Sequence, residues 1–284
     1  MRLLTALAMA AALAAGAPTA RAQPPAVFLK GYGDNAAAGQ RFVHDGVSLY
    51  YETYGAGEPL LIIHGNGASI ASLSGQIDHF KAKYQVIVMD SRDHGRSGDA
   101  PGPLTFEAMS DDLAALLDHL HARPAYVLGW SDGAIEALLL SLRHPEKVRM
   151  IAAMAANLDP RGAWPEFLEP APPPAGPPTR ADRVRRLDLD EPHIVPSALA
   201  AVTAPTLVLA GDHDAIRDEH TLLIFRSLPN SQLAILPDAT HMVPIDDPDR
   251  FNAVVDRFFS TPFVKRDRLQ DLLKTLRKFA PPAK

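Results

Sequence analysis

The chain has 284 residues, of which 47% are hydrophobic and 21% charged, the makeup of a globular protein with its own core and room for one large domain. Its formal charge of −5 supplies no broad basic field for nucleic acid, and the only basic concentration lies in the C-terminal stretch. With no cysteine, disulfides, thiol chemistry and cysteine-ligated metal sites are excluded.

The chain opens with Arg2, an apolar run over 3–15, and Ala20-Arg21-Ala22 before two prolines. That pattern predicts a secretory signal peptide over 1–22, because the run is shorter than the roughly 20 residues a membrane-spanning helix needs. The expectation is therefore an exported protein, periplasmic or secreted, whose single domain over 23–284 keeps no stable transmembrane segment. Residues 41–54 alternate apolar and polar around Asp45-Gly46, a dipeptide that favours a tight hairpin turn. Short apolar runs then follow at 59–64, 85–90, 125–130, 148–154, 206–210 and 233–236, suited to parallel strands buried on both faces. Helical periodicity fills the intervals at 70–82, 106–121, 133–143, 218–228 and 250–259. Such alternation predicts one doubly wound α/β domain: a mostly parallel sheet, an antiparallel N-terminal hairpin and right-handed crossovers.

One insertion, about 159–197, breaks the alternation. It carries Pro160, Pro165, Pro170, Pro172, Pro173, Pro174, Pro177 and Pro178, which rule out a long helix over its first half. A short helix over 180–190 is expected, making a small proline-rich cap. The tail, about 262–279, sets Leu269, Leu272, Leu273 and Leu276 on one helical face among Lys and Arg. It is expected to be a terminal amphipathic helix docked on the domain, with contact to a partner subunit or an anionic membrane as the sharper alternative.

The chemistry-bearing motif is Gly129-Trp130-Ser131-Asp132-Gly133, which directly follows an apolar run and precedes a helical one. In that strand-turn-helix setting the flanking glycines permit a strained turn that lifts the Ser131 hydroxyl above the sheet. A serine hydroxyl is a weak nucleophile, so it needs a base, and the base needs an orienting carboxylate. Both are expected after later strands, in the order serine, acid, histidine. Gly211-Asp212-His213-Asp214 follows one such run and Asp238-Ala239-Thr240-His241 the next. His241 is thus the expected base, with His213 its one rival. Asp214 is preferred to Asp212, which is expected to belong to the turn leaving its strand. The oxyanion donors expected are the N–H of Asp132 and, from His64-Gly65-Asn66-Gly67, the N–H of Asn66. His64 itself reads as structural.

These motifs resemble the α/β-hydrolase superfamily over about residues 41–260: HGNG at 64–67, MDSRDHGRS at 89–97, GWSDG at 129–133, PTLVLAGDHD at 205–214 and DATHMVP at 238–244. The elbow is similar to those of small serine esterases, lactonases and amino-acid-ester hydrolases. Haloalkane dehalogenases and epoxide hydrolases share the HGN-type loop but need an aspartate in place of Ser131. The chain departs from many relatives in Ala134, where a second glycine is common, and in its short cap. The resemblance implies a cofactor-free, metal-free hydrolase of small-molecule carboxylic esters or lactones working through an acyl-enzyme. A carbon–carbon bond hydrolase, a perhydrolase and a non-catalytic binding protein on the same fold are the alternatives. Expected pocket residues are Trp130, Met242, Asn157 and Trp164, and the Asp132 carboxylate is read either as locally hydrogen-bonded or as a receptor for a substrate amine.

Overall fold

The computed structural model describes residues 31–168, 176–265 and 268–279. The expected signal peptide and Pro170, Pro172, Pro173 and Pro174 lie outside them.

Asp45 and Gly46 both take left-handed backbone conformations, φ 45° and 75°, which is what their two-residue hairpin requires. They join β1 (Gly39–His44) to β2 (Val47–Tyr54) with His44 opposite Val47. The sheet continues with β3 (Glu58–Ile63), β4 (Tyr84–Asp90), β5 (Ala125–Trp130), β6 (Val148–Met154), β7 (Thr206–His213) and β8 (Ser231–Thr240). Its order is β1-β2-β4-β3-β5-β6-β7-β8, antiparallel between β1, β2 and β4 and parallel from β4 onward. The chain reverses direction across the sheet after β4, returning past β3 to lay down β5. A crevice therefore opens at the carboxyl ends of β3 and β5.

The helices are α1 (Ser74–Phe80), α2 (Phe106–His119), α3 (Asp132–Arg143), α4 (Arg180–Asp190), α5 (Asp218–Ser227), α6 (Val243–Asp246), α7 (Pro248–Ser260) and α8 (Arg268–Lys278). Alternate residues of β3 feed the two faces of the sheet. Leu61 and Ile63 pack with Leu113 of α2 and Leu138 of α3, while Leu60 and Ile62 pack with Ile77 of α1 and Phe251 and Val255 of α7. Thr105 starts α2, its Oγ1 accepting a hydrogen bond from the Ala108 N–H at 3.2 Å.

Three local differences from the sequence expectations have physical reasons. The 70–82 segment begins as a 3-10 turn, Ile70–Leu73, before α1. Strands β7 and β8 run on through polar residues because they pair from Thr206 opposite Ser231 to Gly211 opposite Leu236 and, past an irregularity at Asp212, again at His213 opposite Thr240. Asp212 therefore sits in a strand rather than a turn. Finally, α8 is not docked: Leu269, Leu272 and Leu276 are 62%, 54% and 54% exposed. In the insertion, the described part before α4 holds 3-10 turns at Pro160–Gly162 and Pro165–Phe167 and an isolated antiparallel bridge from Ala163 to Ile216. Among the described residues no helix is long and apolar enough to cross a membrane.

Candidate active site

Ser131 joins β5 to α3 with φ 57° and ψ −119°, a left-handed strain that a serine accepts only where its surroundings enforce it. The enforcement is steric. A Cβ on Gly129 would stand 2.1 Å from the Gly133 carbonyl oxygen, and one on Gly133 would stand 2.3 Å from that of Ile63. Both positions therefore admit only glycine, and α3 can start directly beneath β3. Ala134, fully buried, fits as it stands. The Ser131 N–H donates to the Met154 carbonyl at 2.8 Å, which anchors the turn to β6.

Ser131 Oγ lies 3.0 Å from His241 Nε2. His241 follows directly on β8, and its Nδ1 lies 2.7 Å from Asp214 Oδ1. Because Asp214 accepts there, Nδ1 carries the proton and Nε2 is left to accept from the serine hydroxyl. The Asp214 carboxylate is itself pinned, Oδ1 accepting from Ile216 N–H at 3.1 Å and Oδ2 from Gly211 N–H at 3.0 Å. Gly211 is required here, since a Cβ would meet the Ala239 oxygen at 2.1 Å. Asp212 points elsewhere: its exposed carboxylate accepts from Ala239 N–H at 3.1 Å, and such backbone hydrogen bonds hold its pKa down. His213 is exposed in β7 and has no part in the cluster.

The 64–67 loop faces this turn closely, with the position of a Gly65 Cβ only 3.1 Å from Ser131 Cβ. Neither the Asn66 nor the Asp132 N–H is used in a turn or cap hydrogen bond among the described residues. His64 Nδ1 donates to the Gly65 carbonyl at 2.8 Å and Nε2 accepts from Ser91 N–H at 3.1 Å. Full burial pushes its pKa down to about 4, so the ring is a neutral brace for the loop.

A cavity of about 520 Å³ opens on the cluster, lined among others by Ser131, His241, Asn66, Trp130, Met242 and Asp188. Trp130 is held by its indole N–H donating to the His241 carbonyl at 2.9 Å. Two expected pocket residues are elsewhere. Asn157 spends its amide on the Asp159 carbonyl at 3.0 Å, and Trp164, 44% exposed, is tied through its N–H to Ala215. The irregular insertion turns the chain away from the cavity before α4 returns to it.

Helix α4 supplies what the sequence reading missed. Asp188 lines the cavity, and its carboxyl is a hydrogen-bond partner of the Asp132 carboxyl, which is 2% exposed and does not line the cavity. Burial first, and repulsion from Asp188 next, push the Asp132 pKa well up, which favours a protonated carboxyl there. Asn66 Nδ2 completes the knot, donating to Asp132 Oδ2 and to the Val184 carbonyl of α4, each at 3.0 Å. The Asp132 side chain is thus locally bonded rather than open to a substrate amine. Farther along α4, Arg183 clamps the fully buried Asp93 carboxylate and Arg180 pairs with Asp99. The cap helix is seated on the elbow and on the loop after β4.

A family model described as the alpha/beta hydrolase fold matches residues 58–188. Among curated proteins, 3-oxoadipate enol-lactonase 2 of Acinetobacter baylyi is 26% identical over 74% of this chain and 92% of its own length. Serine hydrolase BPHL of Mus musculus is 26% identical over 84% of this chain and 90% of its own. Among solved structures, Est816, described as an N-acyl homoserine lactone degrading enzyme, superposes with a TM-score of 0.68 at 24% identity, covering 77% of this chain and all of that one. The sheet order, the strained serine turn and these matches agree on the α/β-hydrolase fold, and the curated proteins to which the chain is similar are hydrolases.

Proposed function

We propose that the protein is a serine hydrolase that cleaves carboxylic ester or lactone bonds of small molecules. The observation that carries this reading is the continuous Ser131–His241–Asp214 hydrogen-bond relay, 3.0 Å and 2.7 Å, at the floor of an open cavity. His241 Nε2 takes the hydroxyl proton as Ser131 Oγ attacks the acyl carbonyl carbon, and Asp214 stabilises the imidazolium. The Asn66 and Asp132 N–H groups receive the oxyanion as it forms. Collapse breaks the carbonyl carbon to alkoxy oxygen bond, and the leaving oxygen takes the proton from His241. Water, activated by the same nitrogen, then displaces Ser131 and releases the acid. With a lactone the leaving hydroxyl stays tethered, so the product is one hydroxy acid. The lactone-cleaving activities named for similar proteins favour the same bond class, and the apolar Trp130 and Met242 walls suit an uncharged acyl portion.

The test is turnover of a p-nitrophenyl ester chain-length series and a lactone series by the wild type and Ser131→Ala. The variant is expected to lose about 10⁴-fold or more in kcat/KM while keeping its Tm. Comparable turnover by both would refute the assignment.

A further inference from the structure

We propose that α8 is a docking helix for an anionic lipid bilayer. At 3.6 residues per turn, Leu269, Leu272, Leu273, Leu276 and the following Phe279 fall within an arc of about 120°. Four of these side chains are more than half exposed, Phe279 reaching 81%, and Val264 just before the helix is 63% exposed. Lys274, Arg277 and Lys278, all exposed, share the rest of the circumference with the positions of Arg268, Gln270, Asp271 and Thr275. From residue 261 on there are seven basic and two acidic residues, a net +5 against −5 for the whole chain, so the remaining residues carry −10. Among the described residues, a cationic excess therefore lies beside an exposed leucine face.

That combination selects the occupant. A continuous apolar face opposite a cationic one lies in a bilayer interface with its leucines in the acyl boundary and its lysines among acidic headgroups. A second copy of the helix would bring like charges together. A protein interface centres on tryptophan, tyrosine and arginine anchors, whereas this face is four leucines and one phenylalanine. The root of the helix fits a peripheral role: Phe263, Val264 and Lys265 line a shared cavity with Asn230, Ser231 and Gln232 at the amino end of β8, opposite the end that carries His241. Bilayer contact through α8 thus uses none of the residues lining the Ser131 cavity.

The test is flotation of the full chain with vesicles of phosphatidylcholine alone or mixed with phosphatidylglycerol. We expect binding to be at least about tenfold greater to the anionic vesicles and to fall as salt rises from about 0.1 M to 1 M, where screening shortens to about 3 Å. Leu272→Glu/Leu276→Glu and, separately, Lys274→Glu/Arg277→Glu/Lys278→Glu should each abolish it with Tm unchanged. Equal binding to both vesicle types, binding retained by either variant, or no binding would overturn the proposal. So would concentration-dependent dimerisation in sedimentation velocity that the leucine variant removes, which would assign the face to a second copy.

Discussion

Asp214 and Asp212 stand two residues apart on the same strand exit, yet only one reaches His241. Asp214 is buried, with both oxygens committed to backbone N–H groups and Nδ1, so it can hold the ring in a single tautomer. Asp212 is solvated and serves β8. Asp214→Asn is therefore expected to lower kcat by about 10⁴-fold through the wrong tautomer, and Asp212→Asn to leave it within a few-fold. Steady-state ester kinetics on the two variants check this, and equal losses would reassign the acid. Ser131, His241 and Asp214 were legible because turn glycines and their order along the chain mark them. Asp188 was not: it lies within an insertion helix without a motif, next to Leu187, and only packing of α4 reveals that it reaches Asp132.

Helix α4 ties the cap to the elbow through a carboxyl pair, and this has a pH signature. Asp132 and Asp188 are both raised above the ordinary carboxyl range, chiefly by burial. Buried Glu136 adds repulsion at Asp132; the Asn66 amide opposes the rise at Asp132, and His241, when protonated, opposes it at Asp188. The folded state therefore holds a proton that the unfolded chain has released above about pH 4. The pair's contribution to stability is full below that pH and declines as pH rises through the folded pKa. Measured by thermal unfolding, the Tm advantage of wild type over Asp188→Asn should shrink steadily between pH 4 and 8; a pH-independent difference would contradict the raised carboxyl pKa values. At this scale, strand and helix order were readable from periods of two and 3.6. The ends of β7 and β8 were not, because their polar residues are strand only through pairing with each other. Nor could the leucine period of α8 reveal what its apolar face touches, since periodicity shows that such a face exists and nothing about its cover.

Across the whole molecule, the loops at the carboxyl end of the sheet are braced by neutral buried histidines. His64 and His94 pack with ring centroids 5.1 Å apart, and burial pushes both pKa values down to about 4. Protonating His64 would also turn its Nε2 into a donor facing the Ser91 N–H. For a depressed base the stability is fully present above about pH 6.5 and lost as pH falls through the folded pKa. For His64 alone the loss is about 3 kcal/mol. Imidazole nitrogen NMR should show both rings neutral at pH 5.5, with the urea midpoint dropping as pH falls from about 6.5 to 4; titration near 6.5 would contradict the brace. The overall architecture was the most legible level, because alternating apolar strands and amphipathic helices allow few arrangements other than a doubly wound sheet.

The most direct measurement is labelling of the full chain with a fluorophosphonate, followed by peptide mass mapping. A nucleophile activated as described predicts one adduct, on Ser131, formed far more slowly in His241→Ala and absent in Ser131→Ala. No adduct, or one on another residue, would contradict the account.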